Sequence, residues 1–274
     1  MLSLSSDHII DLYCWLDDAL PKRLNVRGGR PAILADSEVL TMLVWNTLIL
    51  HHRTIKDLYA SMQRYHQAEF PQLPKYNAFL AHCHRLLPRC LNLLQQLLQT
   101  TAPLRLMDST MLPVCKRHRA NSHKVCRNIA DFGKNHQGWH YGFKLHASID
   151  PQGKLCGIVL TPASHSDTQQ IPKILNDHTR VAVGDTLYGA RVMREYIWGH
   201  YGTIIVAPPY PKQRKRLMAH WQFRLLRLRS KIESVFDVLK EHLNLVSSFP
   251  RSVSGYLLHY IRILLGYQIM ALSS

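Results

Sequence analysis

The first hundred residues repeat apolar positions at the three- and four-residue spacing of amphipathic helices. Ile9, Tyr13 and Leu16 follow this spacing within residues 7–20, which end at Pro21. The same pattern predicts further helices over residues 38–50, 55–65, 76–87 and 89–99. Because short polar breaks separate these segments, the sequence predicts an all-α N-terminal domain over residues 1–100.

Two of these helices form a pair that is relevant to function. A short connection joins residues 38–50 to residues 55–65, and within it Thr54 and Asp57 resemble a capping box. Such a pair allows a helix-turn-helix, in which the second helix enters the major groove of DNA. Compact helical bundles contain similar pairs, so simple helix packing is the alternative.

From residue 103 the pattern changes to strands that alternate with helices. Residues 104–107 form a short apolar run, and residues 140–150 alternate, with Lys144 and His146 on the polar face opposite the core face. A turn then leads to a partner strand over residues 154–160. Further elements are strands over 181–184 and 203–207 and helices over 168–178, 190–200, about 220–245 and about 254–272. We therefore predict an α/β domain over residues 103–274.

The charge of the chain indicates its kind of partner. Its 274 residues include 34 Lys and Arg against 18 Asp and Glu, a formal net charge of +16. Residues 212–231 hold eight basic side chains and no acid, among them Lys212, Arg214, Lys215 and Arg216. Such a cluster attracts polyanions, and nucleic acid is the commonest of these. A basic solubilising surface is the alternative.

Other function classes are disfavoured by composition. A hydrophobic content of 46% is enough to close a core, which argues against disorder. The longest apolar stretch, residues 39–50, is shorter than the roughly 20 residues of a membrane span. Because residues 1–7 lack the features of a secretory signal, we expect a cytoplasmic protein with reduced cysteines.

Three acidic residues are candidates for catalysis. Asp108 and Asp185 each follow a predicted core strand, the place where open α/β sheets bind ligands. Glu233 belongs to one stripe of the predicted long helix, which also contains Leu226, Arg229, Asp237 and Lys240. A solvated surface explains such a stripe too, and Asp237 is the rival of Glu233. If the three carboxylates converge, their oxygen ligands would select Mg²⁺ or Mn²⁺, and two such ions can promote in-line attack on a phosphodiester.

The segments around these acids resemble the three catalytic blocks of DDE transposases of bacterial insertion sequences. The blocks are Met107–Thr110, Gly184–Gly189 and Arg229–Lys240, and Gly138–His146 resembles the strand between the first two. The resemblance covers roughly residues 103–245 and is closest to the short members called insertion sequence family 982. The third block keeps the spacing of Arg229, Glu233 and Lys240, but Leu226 stands where the family often has Tyr.

This resemblance implies a ribonuclease-H-like mixed sheet flanked by helices, with Asp108, Asp185 and Glu233 holding two Mg²⁺ ions. It implies an enzyme that cleaves double-stranded DNA at terminal inverted repeats and joins the resulting 3′-hydroxyl ends to target DNA. Arg229 and Lys240 would contact DNA phosphates, and Lys144 and His146 are further candidates for this role. A homodimer or higher oligomer on DNA is also implied, as is association with the bacterial nucleoid.

Two other functions stay open at this stage. A related metal-dependent nuclease would share the site and the fold, and an inactive descendant would act only as a DNA-binding repressor. A zinc site is a further alternative at four residues whose spacing is short for that purpose, namely Cys115, His118, His123 and Cys126. We expect His165 to Asp167 to cap a helix. We expect Trp139, Trp198 and Trp221 in the core, with stacking against bases as the alternative.

Overall fold

The structure is a computed structural model that describes residues 9–20, 33–135, 138–209 and 218–273. The basic positions Lys212, Arg214, Lys215 and Arg216 lie outside the described residues. The chain divides into two compact units, the first taking Met1–Leu97, Glu241–Leu245 and Phe249–Ser274, and the second Leu98–Lys240 and Val246–Ser248.

The first unit is helical. Its helices are α1 (Ile9–Ala19), α2 (Asp36–Trp45), α3 (Ile55–Tyr65), α4 (Tyr76–Arg85), α5 (Leu87–Leu97) and α10 (Val253–Ser273). Thr54 caps α3, because its hydroxyl accepts a hydrogen bond from the backbone N–H of Asp57 at 3.1 Å. The helical N-terminus and the N-cap role of Thr54 are thus confirmed. The full capping box is not formed, because the Asp57 carboxylate accepts from the hydroxyl of Thr54 at 2.7 Å and not from its backbone N–H. The reading of DNA by α3 stays a prediction.

The last helix belongs to the first unit, whereas the sequence pattern assigned it to the catalytic domain. In this unit α10 packs against α5 and α2. Most of its length from Tyr256 to Ile269 is buried on all sides. A helix that is buried on all sides needs other helices around it, and the N-terminal helices supply them.

The second unit is built on a six-stranded mixed sheet. Its strands are β1 (Leu104–Cys115), β2 (Asp131–Asn135), β3 (Gly138–Ile149), β4 (Leu155–Pro162), β5 (Val181–Val183) and β6 (Ile204–Val206). The order is β2, β3, β1, β5, β6, and β4 pairs with the part of β3 beyond β2. β1 is antiparallel to β3 but parallel to β5, and β5 is parallel to β6. The sheet is therefore antiparallel on the β3 side of β1 and parallel on the β5 side.

Helices flank this sheet. They are α6 (Ile171–Ile174), α7 (Arg191–Tyr201), α8 (His220–Arg227) and α9 (Ser230–Asp237). The apolar core includes Met107 of β1, Ala182 of β5 and Ile197 of α7. This mixed α/β architecture, preceded by helices, confirms the predicted ribonuclease-H-like fold class. No helix among the described residues is long and apolar enough to cross a membrane.

Two helix predictions are wrong in extent. The helix predicted over residues 168–178 is reduced to a 3₁₀ turn, Thr168–Gln170, followed by α6. The helix predicted over about 220–245 is interrupted at residues 228–229, between α8 and α9, and continues as a π-helical turn over Val238–His242. The apolar periodicity runs through both breaks, so it does not reveal them.

The three tryptophans expected in the core are exposed instead. Their exposed fractions are 47% for Trp139, 59% for Trp198 and 48% for Trp221. The three aromatic rings therefore lie at the surface of β3, α7 and α8.

Candidate active site

Asp108 and Asp185 extend from neighbouring parallel strands at matching positions. Leu106 of β1 is paired with Val183 of β5, and each aspartate lies two residues beyond its paired residue. Asp108 was predicted to follow the end of its strand, but β1 continues to Cys115. The pairing of β1 with β5 ends before Asp108. The pairing of β1 with β3 continues past it, and there Asp108 is opposite Ala147.

A tight turn positions the Asp185 side chain. Asp185 precedes the 3₁₀ turn Thr186–Gly189, and its carboxylate accepts a hydrogen bond from the N–H of Leu187 at 2.9 Å. Tyr188 of this turn is fully buried and lies directly over Gly184. A Cβ at position 184 would be 2.8 Å from Tyr188 Cγ, so the turn requires glycine before the aspartate.

Glu233 is linked to Asp108 through Arg229. Arg229 precedes α9, and one of its terminal nitrogens lies 2.6 Å from Glu233 Oε1 while the other lies 3.8 Å from Asp108 Oδ2. α9 itself packs against β1. The interruption between α8 and α9 thus places the guanidinium between two carboxylates that come from different elements.

The charges at this site influence one another. The pKa of Asp108 is raised to about 6, mainly by burial and in part by the carboxylates of Asp185 and Glu233, whereas the N–H of Ser109 and the guanidinium of Arg229 oppose this rise. Burial also raises the pKa of Asp185, which the N–H groups of Leu187 and Tyr188 and the charge of Arg229 oppose. Arg229 therefore favours the ionised form of both aspartates.

The oxygen donors suit a hard divalent cation. Among the described residues, no three acidic, histidine or cysteine side chains converge closely enough to enclose a metal ion. Mg²⁺ does not require such an enclosure, because it keeps several waters and binds through one or two carboxylates together with substrate phosphates. The mutual repulsion of Asp108, Asp185 and Glu233 would also be relieved by added positive charge. The donor set therefore fits Mg²⁺ held by pairs of carboxylates.

Lys144 and His146, which were expected at a polar surface, are buried. Lys144 Nζ donates to Asp167 Oδ1 at 3.0 Å and to the carbonyl of His165 at 2.9 Å. His146 Nε2 is 2.9 Å from the hydroxyl of Thr161, and its Nδ1 is 3.4 Å from Asp167 Oδ1. Burial lowers the pKa of His146 to about 4. The structure therefore gives these two side chains an interior role, because residues 165–175 cover their face of the sheet.

Asp167 is the residue of this region that sequence reasoning missed. It was interpreted as a helix cap, but its side chain makes no capping hydrogen bond and binds Lys144 instead. Its charge raises the pKa of Asp185. The hydroxyl of Thr168, the next residue, donates to the carbonyl of Leu187 at 3.2 Å. Asp167 thus lies on a segment bonded to the turn that holds Asp185, a relationship that only the folded chain reveals.

The remaining candidates occupy different positions. Asp237 and Glu233 are both exposed, but it is Glu233 that pairs with Arg229 and influences the pKa of Asp108. Lys240 is half-buried in the π-helical turn. Within the described part of the chain, Cys115, His118, His123 and Cys126 are not gathered into a group of three metal-binding side chains.

The family comparison covers this whole site. Residues 99–253 match the model of the transposase DDE domain, a segment that includes Asp108, Asp185 and Glu233. Comparisons with curated proteins and with solved structures give no significant match. The matched segment is more than half of the chain, and its sheet carries two aspartates at matching positions just beyond the paired region of two parallel strands. The chain therefore belongs to the family of transposases that carry a DDE domain.

Proposed function

We propose that this protein is a DNA transposase that cleaves at the ends of an insertion sequence and joins the 3′-hydroxyl ends to target DNA. The observation that supports this most directly is the matching position of Asp108 and Asp185, with Glu233 connected to Asp108 through Arg229. We further propose that the element is a bacterial insertion sequence of family 982, on the resemblance of the three blocks.

In this proposal Asp108, Asp185 and Glu233 are the catalytic residues, and they hold two Mg²⁺ ions, for which Mn²⁺ can substitute. Such ions lower the pKa of an attacking water and stabilise the leaving oxygen of an in-line displacement. The contribution of the chain is to fix the carboxylates. Asp108 is fixed by the sheet, Asp185 by the N–H of Leu187, and Glu233 by Arg229.

The positive charge of the chain has a separate role in the proposal. The net charge of +16 attracts the DNA backbone, and release of counterions would make binding strongly dependent on salt. Arg229 is proposed to contact a phosphate near the acids, because its guanidinium has five N–H donors and can serve more than one anion. Lys240 is proposed as a second phosphate contact. Processing of two element ends together would require a homodimer or a higher oligomer.

The test is a strand-joining assay with purified protein and Mg²⁺. The donor is a duplex that carries one end of the DNA flanking the gene, already cut to leave a 3′-hydroxyl, and the target is a supercoiled plasmid. We expect joined product from the wild type and none from Asp185→Asn. Asp177→Asn is the matched control, because Asp177 belongs to the same unit and its side chain is 80% exposed.

The outcomes of this assay distinguish a transposase from a nuclease and from a DNA-binding repressor. Joining that depends on Asp185 supports the transposase. Cleavage without joining would indicate a nuclease, and DNA binding without either reaction would indicate a repressor. Inverted repeats bracketed by short direct duplications around the gene would provide independent support for the insertion sequence.

A further inference from the structure

A groove on the second unit lies outside the acidic site. It is lined by Arg117, His118, Asn121, Phe132 and Trp139, and its volume is about 670 Å³. Pockets that bind small ligands fall in the range of about 300–1,000 Å³. The groove is therefore large enough for one nucleotide, and none of its lining residues belongs to the proposed catalytic set.

Strand pairing creates the aromatic side of the groove. Lys134 of β2 is directly opposite Trp139 of β3, and Phe132 is directly opposite Tyr141. Because side chains alternate along a strand, these four share one face of the hairpin. Tyr141 is buried beneath Phe132, whereas 36% of Phe132 and 47% of Trp139 are exposed. Lys134 Nζ lies 5.9 Å from the centre of the Trp139 ring. Two aromatic rings thus face solvent on the paired strands β2 and β3.

The other side of the groove is basic. It is formed by the 3₁₀ turn Arg117–Ser122, and the chain from Lys116 to Ala130 contains no acidic residue. The nearest acid along β2 is Asp131, whose carboxylate accepts a hydrogen bond from the N–H of Phe132 at 2.7 Å. Cations therefore face aromatic rings across the groove, and this combination suits a ligand that has both a flat ring and a negative charge.

We propose that this groove binds an unpaired nucleotide of a DNA strand, with its base against Trp139 and Phe132 and its phosphate near Arg117. The inference rests on the proposed function, which supplies DNA as the partner. Bases within a duplex are stacked on one another, so only an unpaired base can place its face on an aromatic side chain. Arginine and histidine beside the rings can contact the phosphate of the same nucleotide.

The position of the groove along β3 is consistent with one continuous strand of DNA. Trp139 is eight residues from Ala147, the partner of Asp108, and this separation corresponds to about 27 Å along β3. A DNA strand in a duplex advances about 3.4 Å per nucleotide. At this rise, a strand of DNA that followed β3 from Asp108 would reach the groove after roughly eight nucleotides.

The experiment compares binding of two probes by fluorescence anisotropy. One is a fluorescein-labelled oligodeoxythymidine of about 12 nucleotides, and the other is a blunt duplex of the same length. We expect Trp139→Ala to weaken binding of the single strand by about tenfold and that of the duplex by less than about twofold, in line with the stacking of one base. Trp139→Phe keeps an aromatic ring and should restore most of the affinity.

The control is Trp198→Ala, because Trp198 belongs to the same unit, is 59% exposed and does not line the groove. The inference would be overturned if Trp139→Ala and the control variant lost single-strand affinity equally. It would also be overturned if Trp139→Ala lost affinity equally for both probes, or lost none. Tighter Trp139-dependent binding of oligouridine than of oligodeoxythymidine would also overturn it, since RNA would then be the occupant. If the wild type binds neither DNA probe, the proposed function fails as well. If the wild type joins DNA ends and Trp139→Ala binds the single strand as tightly as the wild type, the proposed nucleotide site in the groove is refuted and the proposed function is not.

Discussion

Asp108 and Asp185 each lie two residues past the last parallel pair of their strands, Leu106 with Val183. Because parallel strands run in the same direction, equal offsets bring the two carboxylates to the same end of the sheet. This register depends on the continuous apolar run of β5 and on Gly184, which precedes the turn that holds Asp185.

Gly184→Ala should displace Asp185 and remove strand cleavage. The new Cβ would meet the ring of Tyr188 at 2.8 Å, so either the buried ring or the turn must move. We expect a loss of about 1–3 kcal/mol in the free energy of unfolding, measured with urea. Gly199→Ala is the control, because nothing lies within 4 Å of a Cβ at this position in α7. It should be neutral or should stabilise by about 0.5–1 kcal/mol, and an equal loss in both variants would contradict the role of the turn.

Asp108→Asn should stabilise the protein at high pH but not at low pH. The pKa of Asp108 is about 6 in the folded chain, whereas an ordinary aspartate has a pKa of 3.8, so the folded chain retains a proton between these two pH values. Stability attributable to Asp108 therefore falls as pH rises from about 4 to about 6. In EDTA, we expect Asp108→Asn to raise the free energy of unfolding by on the order of 2 kcal/mol at pH 8 and to change it little near pH 4. A stabilisation that does not depend on pH would exclude this cause.

Arg229→Ala should reduce activity and shift its pH dependence upward. Arg229 lowers the pKa of Asp108 and of Asp185, so its removal makes both carboxyl groups harder to ionise. The acidic limb of the cleavage rate should consequently move to higher pH. Arg191→Ala provides a matched control, because Arg191 also pairs with a glutamate four residues later, at 2.7 Å, but is 89% exposed. An acidic limb that stays in place in Arg229→Ala would show that the guanidinium does not act through these acids.

Asp167→Asn should destabilise the second unit by about 2 kcal/mol. The change leaves Lys144, whose side chain is only 11% exposed, without its carboxylate partner. Urea unfolding of this variant can be compared with that of Asp177→Asn, which removes an exposed charge nearby in the chain. We also expect lower activity, since Thr168 would no longer be held where it bonds the turn after Asp185. Unchanged stability would mean that Lys144 does not depend on this ion pair.

The sequence predicts the elements that depend on local patterns. The short apolar run Val181–Val183 is a buried strand as predicted, and Thr54 caps α3 as its spacing with Asp57 indicates. The segments that contain Asp108, Asp185 and Glu233 were also identified from the sequence, because strand ends and blocks of fixed spacing are local features.

Long-range contacts explain what the sequence did not predict. β1 continues past Asp108 because residues up to Cys115 pair with β3, and this pairing has no local signal. Lys144 alternates with apolar residues as an exposed side chain would, but Asp167, 23 positions away, covers it. The apolar periodicity runs unbroken through residues 228–229, so it does not predict the break before α9. This break nevertheless sets the position of Arg229 between Asp108 and Glu233.

Binding of Mn²⁺ to the metal-free protein tests most directly whether Asp108, Asp185 and Glu233 form one metal site. The bound ion can be counted by electron paramagnetic resonance in the wild type, in Asp108→Asn, Asp185→Asn and Glu233→Gln, and in the control Asp177→Asn. We predict that each of the first three variants weakens binding by at least about tenfold, while the control binds as the wild type does. Wild-type affinity in Asp108→Asn and Asp185→Asn would contradict the proposed site.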